Sequence, residues 1–157
     1  MLIKVISTSL AFCLLFLVST YTFAEVKNVL GTEQFNDVVL KSSNPVVVKF
    51  GAPWCPACVR SKGPFEKISN DPEFATITFV EMDFDKNSAV AQQYDVQSLP
   101  TFLYFSNGKL AATKTGFSEN LKNEIANTVA SITATPEKKS EEAPAAAPTS
   151  SPEEVKS

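Results

Sequence analysis

The stretch Val46-Val-Val-Lys-Phe-Gly-Ala-Pro-Trp-Cys-Pro-Ala-Cys58 decides the fold. Its first five residues are an almost continuous β-branched and aromatic run, which is typical of a central strand covered on both faces. Gly51-Ala-Pro53 ends that strand, and Pro56 suits the first turn of a helix because it has no N–H to leave unpaired. The two cysteines therefore lie where a buried strand passes into a helix.

Cys55 and Cys58 are separated by two residues and can close a small disulfide loop. At a helix N-terminus the unpaired N–H groups and the helix dipole stabilise a thiolate, so Cys55 is the predicted nucleophile. Cys58, one turn further in and more enclosed, is predicted to attack the mixed disulfide and release the product. The pattern favours dithiol–disulfide exchange. A purely structural bridge and the carriage of a soft metal by the cysteine pair are the alternatives.

The rest of the composition excludes several classes of function. The 157 residues contain no histidine and only one other cysteine, Cys13. This removes Cys-His proteases and four-ligand zinc sites, so we expect no metal and no cofactor beyond the redox disulfide itself. The net charge of −3, without a basic stripe, gives little electrostatic support for binding nucleic acid.

Outward from this motif, strand and helix patterns alternate. The strongest local signal is Asn107-Gly108, a turn that tolerates positive φ and joins two runs into a hairpin. Thr32 and Ser118 are each predicted to cap a helix, and Gly63-Pro64 to kink or interrupt the helix that begins near Pro56. The order β-α-β-α-β-α-β-β-α predicts an α/β fold, a central mixed sheet with helices on both faces. The predicted strands are 26–30, 46–50, 77–83, 101–105 and 109–114, and the predicted helices begin near 32, 56, 88 and 118.

The two ends of the chain differ in composition from the domain predicted at 25–135. Residues 5–24 carry no charge and end in Thr22-Phe-Ala24, so we expect 1–24 to be a secretory signal peptide cleaved before Glu25. An uncleaved membrane anchor is the alternative. Residues 136–157, a Pro/Ala/Glu-rich tail, are predicted to be disordered because they have too few large apolar side chains to offset their ordering entropy. We expect the domain to be exported to the periplasm, with secretion or membrane anchoring as alternatives.

Several spaced motifs together resemble thioredoxin. Phe50-Gly-Ala-Pro-Trp-Cys55 is similar to the family's active-site strand and turn, particularly the Ala-Pro-Trp-Cys of protein disulfide isomerase domains. Ser98-Leu-Pro-Thr101 is similar to the family's Ile-Pro-Thr. Asn107-Gly-Lys109 and Thr115-Gly116 fall where thioredoxins carry their hairpin and a late glycine. The resemblance covers about residues 26–132 and implies a thioredoxin fold.

The resemblance also implies a substrate-binding surface. It implies that the Leu99–Pro100 bond is cis and faces the cysteines, so that Leu99, Pro100 and Thr101 hold an extended substrate. Such a bond leaves the backbone N–H and C=O of Leu99 free to pair with substrate, and a plain strand start is the alternative for Pro100. Trp54 is expected to be a partly exposed wall beside the first cysteine, or else a core filler. Gly116 is expected to permit close approach of substrate, or to be an ordinary turn glycine.

Lys49 and Glu81 depart from the family pattern. Thioredoxins place a buried acid on the active-site strand and a lysine across from it on the neighbouring strand, whereas here both signs are reversed. An unpaired charge in an apolar central strand is costly, so we expect Lys49 to pair with Glu81 beneath the disulfide. Glu81 would then relay the proton of Cys58, and Lys49 would favour the thiolate. Alternatively, Lys49 snorkels to solvent and Glu81 pairs elsewhere.

These observations predict an exported, monomeric, thioredoxin-like protein-disulfide reductase that acts on protein thiols and disulfides and is recharged by a redox partner. The dipeptide Pro56-Ala57 lacks the histidine typical of oxidising relatives, which favours a reductant over a strong oxidant. An oxidase or isomerase of secreted proteins is the alternative among enzymes. A non-catalytic binding module with a structural disulfide is the alternative of a different class. We expect no membrane partner unless residues 1–24 stay attached.

Overall fold

A computed structural model describes residues 25–134, and the predicted signal peptide and tail lie outside the described residues. The described part forms one five-stranded mixed sheet with helices. The strands are β1 Lys27–Asn28, β2 Val46–Gly51, β3 Thr78–Asp83, β4 Thr101–Ser106 and β5 Lys109–Thr115, and the helices are α1 Gly31–Phe35, α2 Pro56–Ser69, α3 Ser88–Gln93 and α4 Leu121–Ala134. The strand order in the sheet is β1-β3-β2-β4-β5. A π-helical turn at Asn36–Leu40 follows α1, and a 3-10 turn at Pro72–Phe74 precedes β3.

The second strand, β2, forms the centre of the sheet, as its apolar run predicts. It pairs in parallel with β3 and antiparallel with β4, and all six of its residues are buried. Alternate side chains point to opposite faces, so Val48 contributes to one core and Val47 to the other. The expected mixed sheet with helices on both faces is confirmed.

Each face of the sheet carries its own core. On one face Phe35 of α1 and Val90 of α3 pack against the sheet. On the other face Phe65 of α2 and Ile125 of α4 do so, and the aromatic rings there meet edge to face. The end of β2 and the start of α2 therefore rest on a rigid, fully covered base.

Neither predicted N-cap residue takes that position. The helix α1 begins at Gly31, whose N–H donates to Oδ1 of the distant, buried Asn87 at 2.7 Å, so Thr32 lies inside the helix. The helix α4 begins at Leu121, and the hydroxyl of Ser118 hydrogen-bonds the Glu124 carboxylate instead of a backbone N–H. At α1, a side chain 56 residues away takes the N–H that a local cap would accept. At α4, the Ser118 hydroxyl is engaged by the Glu124 side chain instead.

The helix α2 continues through Pro64, so the predicted interruption at Gly63-Pro64 does not occur. A proline inside a helix removes one backbone hydrogen bond. Here Phe65 and Ile68, which are buried on the inner face of the same helix, hold the following turn against the sheet. Tertiary packing therefore outweighs the local cost.

Candidate active site

The two cysteines lie at the junction of β2 and α2. Cys55 is the N-cap residue of α2, and its Sγ accepts a hydrogen bond from the N–H of Cys58 at 3.2 Å. The two residues form a disulfide with their Cα atoms 5.2 Å apart. Cys55 is 6% exposed and Cys58 4%, so in the disulfide form the second cysteine is hardly more enclosed than the first. A helix N-terminus thus stands directly beneath the first sulfur, where it stabilises a thiolate.

Trp54 projects from the protein beside the disulfide. It is 64% exposed, and its indole N–H donates to Oδ2 of Asp85 at 2.7 Å. The alternative of a core filler is therefore wrong. Asp85 is in turn held by a turn in which Oδ1 of Asp83 accepts its backbone N–H at 3.0 Å.

Asp85 was not among the site residues predicted from the sequence, because the signal for it depends on the register of the sheet. Gly51 lies opposite Asp83 in the parallel register of β2 and β3. The segments that follow the carboxyl ends of neighbouring parallel strands meet at one edge of the sheet. A polar residue two positions past the end of β3 was therefore placed to reach the segment that carries Trp54.

The loop before β4 lies against the disulfide. The Leu99–Pro100 peptide bond is cis, and the side chain of Leu99 packs against the buried cluster of Ala52, Cys55 and Cys58. Within the described part of the chain, the N–H and C=O of Leu99 take no part in hydrogen bonds between backbone groups. These two groups are therefore available to an extended peptide.

Thr101 and Gly116 support this loop from behind. Thr101 is buried, and its hydroxyl donates to the carbonyl of Ser98 at 2.7 Å, so its side chain does not face outward. Gly116 has φ +91°, and its N–H donates to the carbonyl of Pro100 at 2.7 Å. A Cβ at Gly116 would meet no atom within 4 Å, so the positive φ, rather than crowding in the chain, calls for glycine here.

Lys49 and Glu81 form an ion pair below the disulfide. They lie opposite each other in the register of β2 and β3, with 2.9 Å between Lys49 Nζ and Glu81 Oε1. The side chain of Lys49 is fully buried and that of Glu81 is 22% exposed, so the alternative in which Lys49 snorkels to solvent is wrong. The ammonium also lies 5.6 Å from the ring centroid of Phe65. The cost of burying this charge is thus offset by a carboxylate and an aromatic face.

Comparison with known proteins settles the family. The family model described as Thioredoxin matches residues 26–131. The chain belongs to the thioredoxin family. It is 36% identical over 93 residues to a thioredoxin of Rickettsia bellii, covering 59% of this chain and 86% of the relative. It is 37% identical over 90 residues to a thioredoxin of Mycoplasmoides gallisepticum, covering 57% and 85%.

Solved thioredoxin structures agree with this assignment. The thioredoxin of Trypanosoma brucei brucei superposes with a TM-score of 0.63 at 28% identity, over 74% of this chain and 97% of that one. The thioredoxin of Malassezia sympodialis gives 0.61 at 29% identity, over 69% and 90%. As a member of this family, the chain is a thiol-disulfide oxidoreductase.

Residues 25–134 contain neither a cluster of metal ligands nor a membrane-spanning helix. No three His, Cys, Asp or Glu side chains of this thioredoxin domain are grouped so that they could ligate a metal. None of its helices combines the length and apolarity that a membrane crossing requires.

Proposed function

We propose that this protein is an exported protein-disulfide reductase that works through the Cys55–Cys58 pair. The observation that carries the proposal is the position of Cys55 at the N-terminus of α2, with the N–H of Cys58 donated to its sulfur. A thiolate held in this way attacks a substrate disulfide and forms a mixed disulfide. Cys58 then attacks Cys55 Sγ, which releases the reduced substrate and closes the intramolecular disulfide. A redox partner returns the pair to the dithiol.

In this proposal Trp54, Leu99 and Pro100 receive the substrate. The exposed indole forms one wall beside Cys55, and the unpaired backbone groups of Leu99 form the other side. Thr101 and Gly116 act indirectly, since their hydrogen bonds to Ser98 and Pro100 hold the loop in place. Recognition through backbone groups suits a reductase that accepts many sequences.

Glu81 and Lys49 serve the second step. Cys58 must lose a proton before it attacks, and Glu81 lines the same cavity of about 360 Å³ as Cys58 and is 22% exposed, so it can pass that proton to solvent. We assign Glu81 the transfer of that proton, and Lys49 the positive charge that favours the Cys58 thiolate. The expected signature of Glu81→Gln is a shifted pH profile for alkylation of Cys58 in the dithiol form. An unchanged profile would remove Glu81 from the mechanism.

Reduction rather than oxidation is favoured by the dipeptide Pro56-Ala57, because no histidine there stabilises the reduced thiolate.

Export is favoured by the uncharged segment 5–24 and the small residues before Glu25. N-terminal sequencing of the protein recovered from the periplasm tests the export proposal, with Glu25 as the expected first residue. A protein that begins at Met1 in the membrane fraction would support the anchored alternative.

Insulin reduction tests the proposed activity. With dithiothreitol as electron source, the wild type is expected to accelerate insulin precipitation, and Cys55→Ser and Cys58→Ser are expected to abolish the acceleration. Gly63→Ala is the control, because Gly63 lies on α2 with open space around its Cα. A wild type without effect would contradict the proposal and favour a binding module.

The reduction potential measured against glutathione separates reductase from oxidase, since about 30 mV is a tenfold change in the equilibrium.

A further inference from the structure

Asn87 is a buried polar residue outside the site described above. It precedes α3 and is 2% exposed. Its Oδ1 accepts the N–H of Gly31 at 2.7 Å, and its Nδ2 donates to the carbonyl of Asp83 at 2.8 Å and to that of Val29 at 3.4 Å. One side chain thus ties the junction of β1 and α1 to the end of β3.

These bonds hold the turn that runs from Asp83 to Asn87. The carbonyl of Asp83 accepts the backbone N–H of Asn87 at 3.0 Å in addition to its side-chain amide. The carboxylate of Asp83 accepts the N–H of Asp85 at 3.0 Å. The N–H of Phe84 donates to the carbonyl of Gly51 at 2.8 Å, which joins the turn to the end of β2. The position of Asp85 is therefore set by bonds at both ends of the turn.

The side chain of Trp54 depends on that turn for its orientation. It is 64% exposed, so packing restrains it weakly. Its indole N–H donates to Asp85 Oδ2 at 2.7 Å. A side chain that is already ordered in the free protein does not have to be ordered when a partner binds, and this ordering otherwise costs affinity. The bond to Asp85 therefore prepares the indole to receive substrate.

We propose that Asn87 is a positioning residue for substrate binding. It fixes the turn that carries Asp85, and Asp85 orients the indole of Trp54 beside Cys55. The inference rests on the proposed function, in which Trp54 forms one wall of the substrate site, and adds a residue that acts on this wall from the far end of the turn. Exchange between sulfurs is left to the cysteines. Loss of Asn87 should therefore weaken the binding of a protein disulfide and spare the exchange step.

Single-turnover kinetics test this separation. Reduced protein is mixed with rising concentrations of insulin, quenched in acid and alkylated, which gives a saturating rate and a half-saturating concentration. Asn87→Ala is expected to raise the half-saturating concentration about three- to tenfold, as the ordering of one side chain on binding would. The saturating rate, and the rate with the small hydroxyethyl disulfide, should stay within about twofold of the wild type. Equal losses with both substrates would overturn the proposal.

Trp54→Ala provides the background that shows whether Asn87 acts through the indole. Effects of residues that act through one chain of contacts are not additive. Adding Asn87→Ala to Trp54→Ala is expected to change the half-saturating concentration for insulin by less than about twofold. If the full increase persists without the indole, Asn87 acts by loosening the fold in general and the proposal is wrong.

The fluorescence of Trp54 provides a readout that is independent of activity, because the chain has a single tryptophan. In the reduced protein, Asn87→Ala is expected to increase the fast local motion seen in the anisotropy decay, and Asp85→Ala to do the same by removing the acceptor. Gly108→Ala controls for lost stability, since Gly108 has a positive φ and lies at the opposite end of the sheet. It should change neither the anisotropy decay nor the insulin kinetics. An unchanged decay in Asn87→Ala would contradict the proposal.

Asn87→Asp decides the matter if the alanine variant does not fold. Its carboxylate keeps an acceptor for the N–H of Gly31 but has no donor for the carbonyl of Asp83. We expect the same changes in insulin kinetics and anisotropy as for Asn87→Ala. Unchanged values would mean that Asn87 serves only the junction of β1 and α1, which overturns the proposal. A wild type that does not reduce insulin would contradict the proposed function instead, and the anisotropy decay would still decide whether Asn87 orients the indole.

Discussion

At the scale of a single residue, Lys49 illustrates how a charge is held inside an apolar strand. Its side chain is fully buried, and its ammonium contacts Glu81 Oε1 at 2.9 Å and the face of Phe65. Removing an ammonium from water costs several kcal/mol, and the attraction of a nearby carboxylate offsets that cost. Removing one partner should therefore destabilise the protein more than removing both.

Glu81→Gln leaves the ammonium of Lys49 buried without a counter-charge. We expect it to lower the free energy of unfolding by about 3 kcal/mol, the lower end of the range for a broken buried pair, because Glu81 keeps some contact with solvent. The double variant Lys49→Met/Glu81→Gln should recover most of the loss. Urea denaturation of the oxidised proteins measures both. A double variant less stable than Glu81→Gln would contradict this account of the pair.

At the scale of an element, the turn of the β4–β5 hairpin is determined both by its local sequence and by a contact with a segment distant in sequence. Asn107 and Gly108 have φ values of +49° and +73°, as the Asn-Gly pattern predicts. The turn also lies against the end of the π-helical segment, where a Cβ at Gly108 would stand 2.1 Å from the carbonyl oxygen of Leu40. Glycine is thus required here both by conformation and by space.

Gly108→Ala should accordingly be strongly destabilising. The positive φ alone costs a residue with a Cβ about 1–2 kcal/mol, and the contact with Leu40 adds to it. We expect a total loss of at least about 2 kcal/mol in urea denaturation. Gly63→Ala is the matched control, since Gly63 lies in α2 without a positive φ and its Cβ would meet no atom beyond the adjoining residues. We expect it to change the free energy of unfolding by less than about 1 kcal/mol, because the helix propensity gained with alanine is opposed by crowding against Pro64. Equal effects of the two alanines would refute the steric argument.

The helix α4 is joined to the segment before β3 by Lys122. Its ammonium lies 2.9 Å from carboxylate oxygens of both Asp71 and Glu73. The hydrogen bond to Asp71, followed by that to Glu73, raises the pKa of Lys122 to about 12. The hydrogen bond from Lys122 lowers the pKa of Asp71. The stability that Lys122 contributes to the folded state is therefore complete below its unfolded pKa and is lost as the pH rises toward 12. The stability that Asp71 contributes is present above its unfolded pKa and is lost as the pH falls into the acid range.

Lys122→Gln should reveal the acid side of this dependence. We expect the variant to have a lower urea midpoint than the wild type at pH 7, because Asp71 loses the partner that favours its charged form. The difference should shrink as the pH falls below about 4 and Asp71 is protonated. It should also shrink in high salt, since the pair is at the surface. A difference that is constant with pH would assign the effect of Lys122 to its contact with the ring of Phe74 instead.

The elements that could be predicted from sequence are those whose signal is local. The apolar run of β2 and the Asn-Gly turn lie where their residue types require. The prediction at Thr32 was wrong because Asn87, 56 residues away in the sequence, accepts the N–H of Gly31. The prediction at Ser118 was wrong because its hydroxyl bonds the Glu124 carboxylate and not a backbone N–H. The interruption at Pro64 was wrong because the packed face of α2 compensates a local defect.

At the scale of the whole molecule, the candidate site depends on how the strands are arranged in the sheet. The positions of the cysteines and of Trp54 followed from the sequence next to them. The contact of Asp85 with Trp54 and the cavity beside Cys58 could not be predicted without the parallel register of β2 and β3. The close packing of Gly51 on Cys58, where a Cβ would stand 3.3 Å from Cys58 Cβ, likewise has no signal until the fold brings the two residues together.

Each of the two cores includes or contacts a tyrosine whose pKa is raised, so both cores affect the stability of the protein at alkaline pH. Tyr104 is buried in the core on the α4 face, and burial, with a smaller effect of the nearby Glu124 charge, raises its pKa to about 12 although a hydrogen bond with Thr128 opposes the shift. Tyr94 packs against the core on the other face, and burial raises its pKa as well. Both faces of the sheet therefore retain phenolic protons that the unfolded chain would lose.

Alkaline unfolding should therefore depend on Tyr104. An unfolded tyrosine ionises near pH 10, whereas folded Tyr104 holds its proton to about pH 12. Between these values the folded state binds more protons, so stability falls as pH rises, by about 2–3 kcal/mol from this one group. Between pH 9 and 11.5, the free energy of unfolding of Tyr104→Phe, measured by urea denaturation, should fall by correspondingly less than that of the wild type. This holds even if loss of the hydrogen bond with Thr128 lowers the free energy of unfolding of the variant at pH 8. Lys122→Gln keeps Tyr104 and Tyr94 and removes the contribution of Lys122, whose pKa is also raised, to about 12. Parallel pH curves for Tyr104→Phe and the wild type would mean that Tyr104 ionises in the folded protein without resistance from its surroundings, contrary to its position in the core.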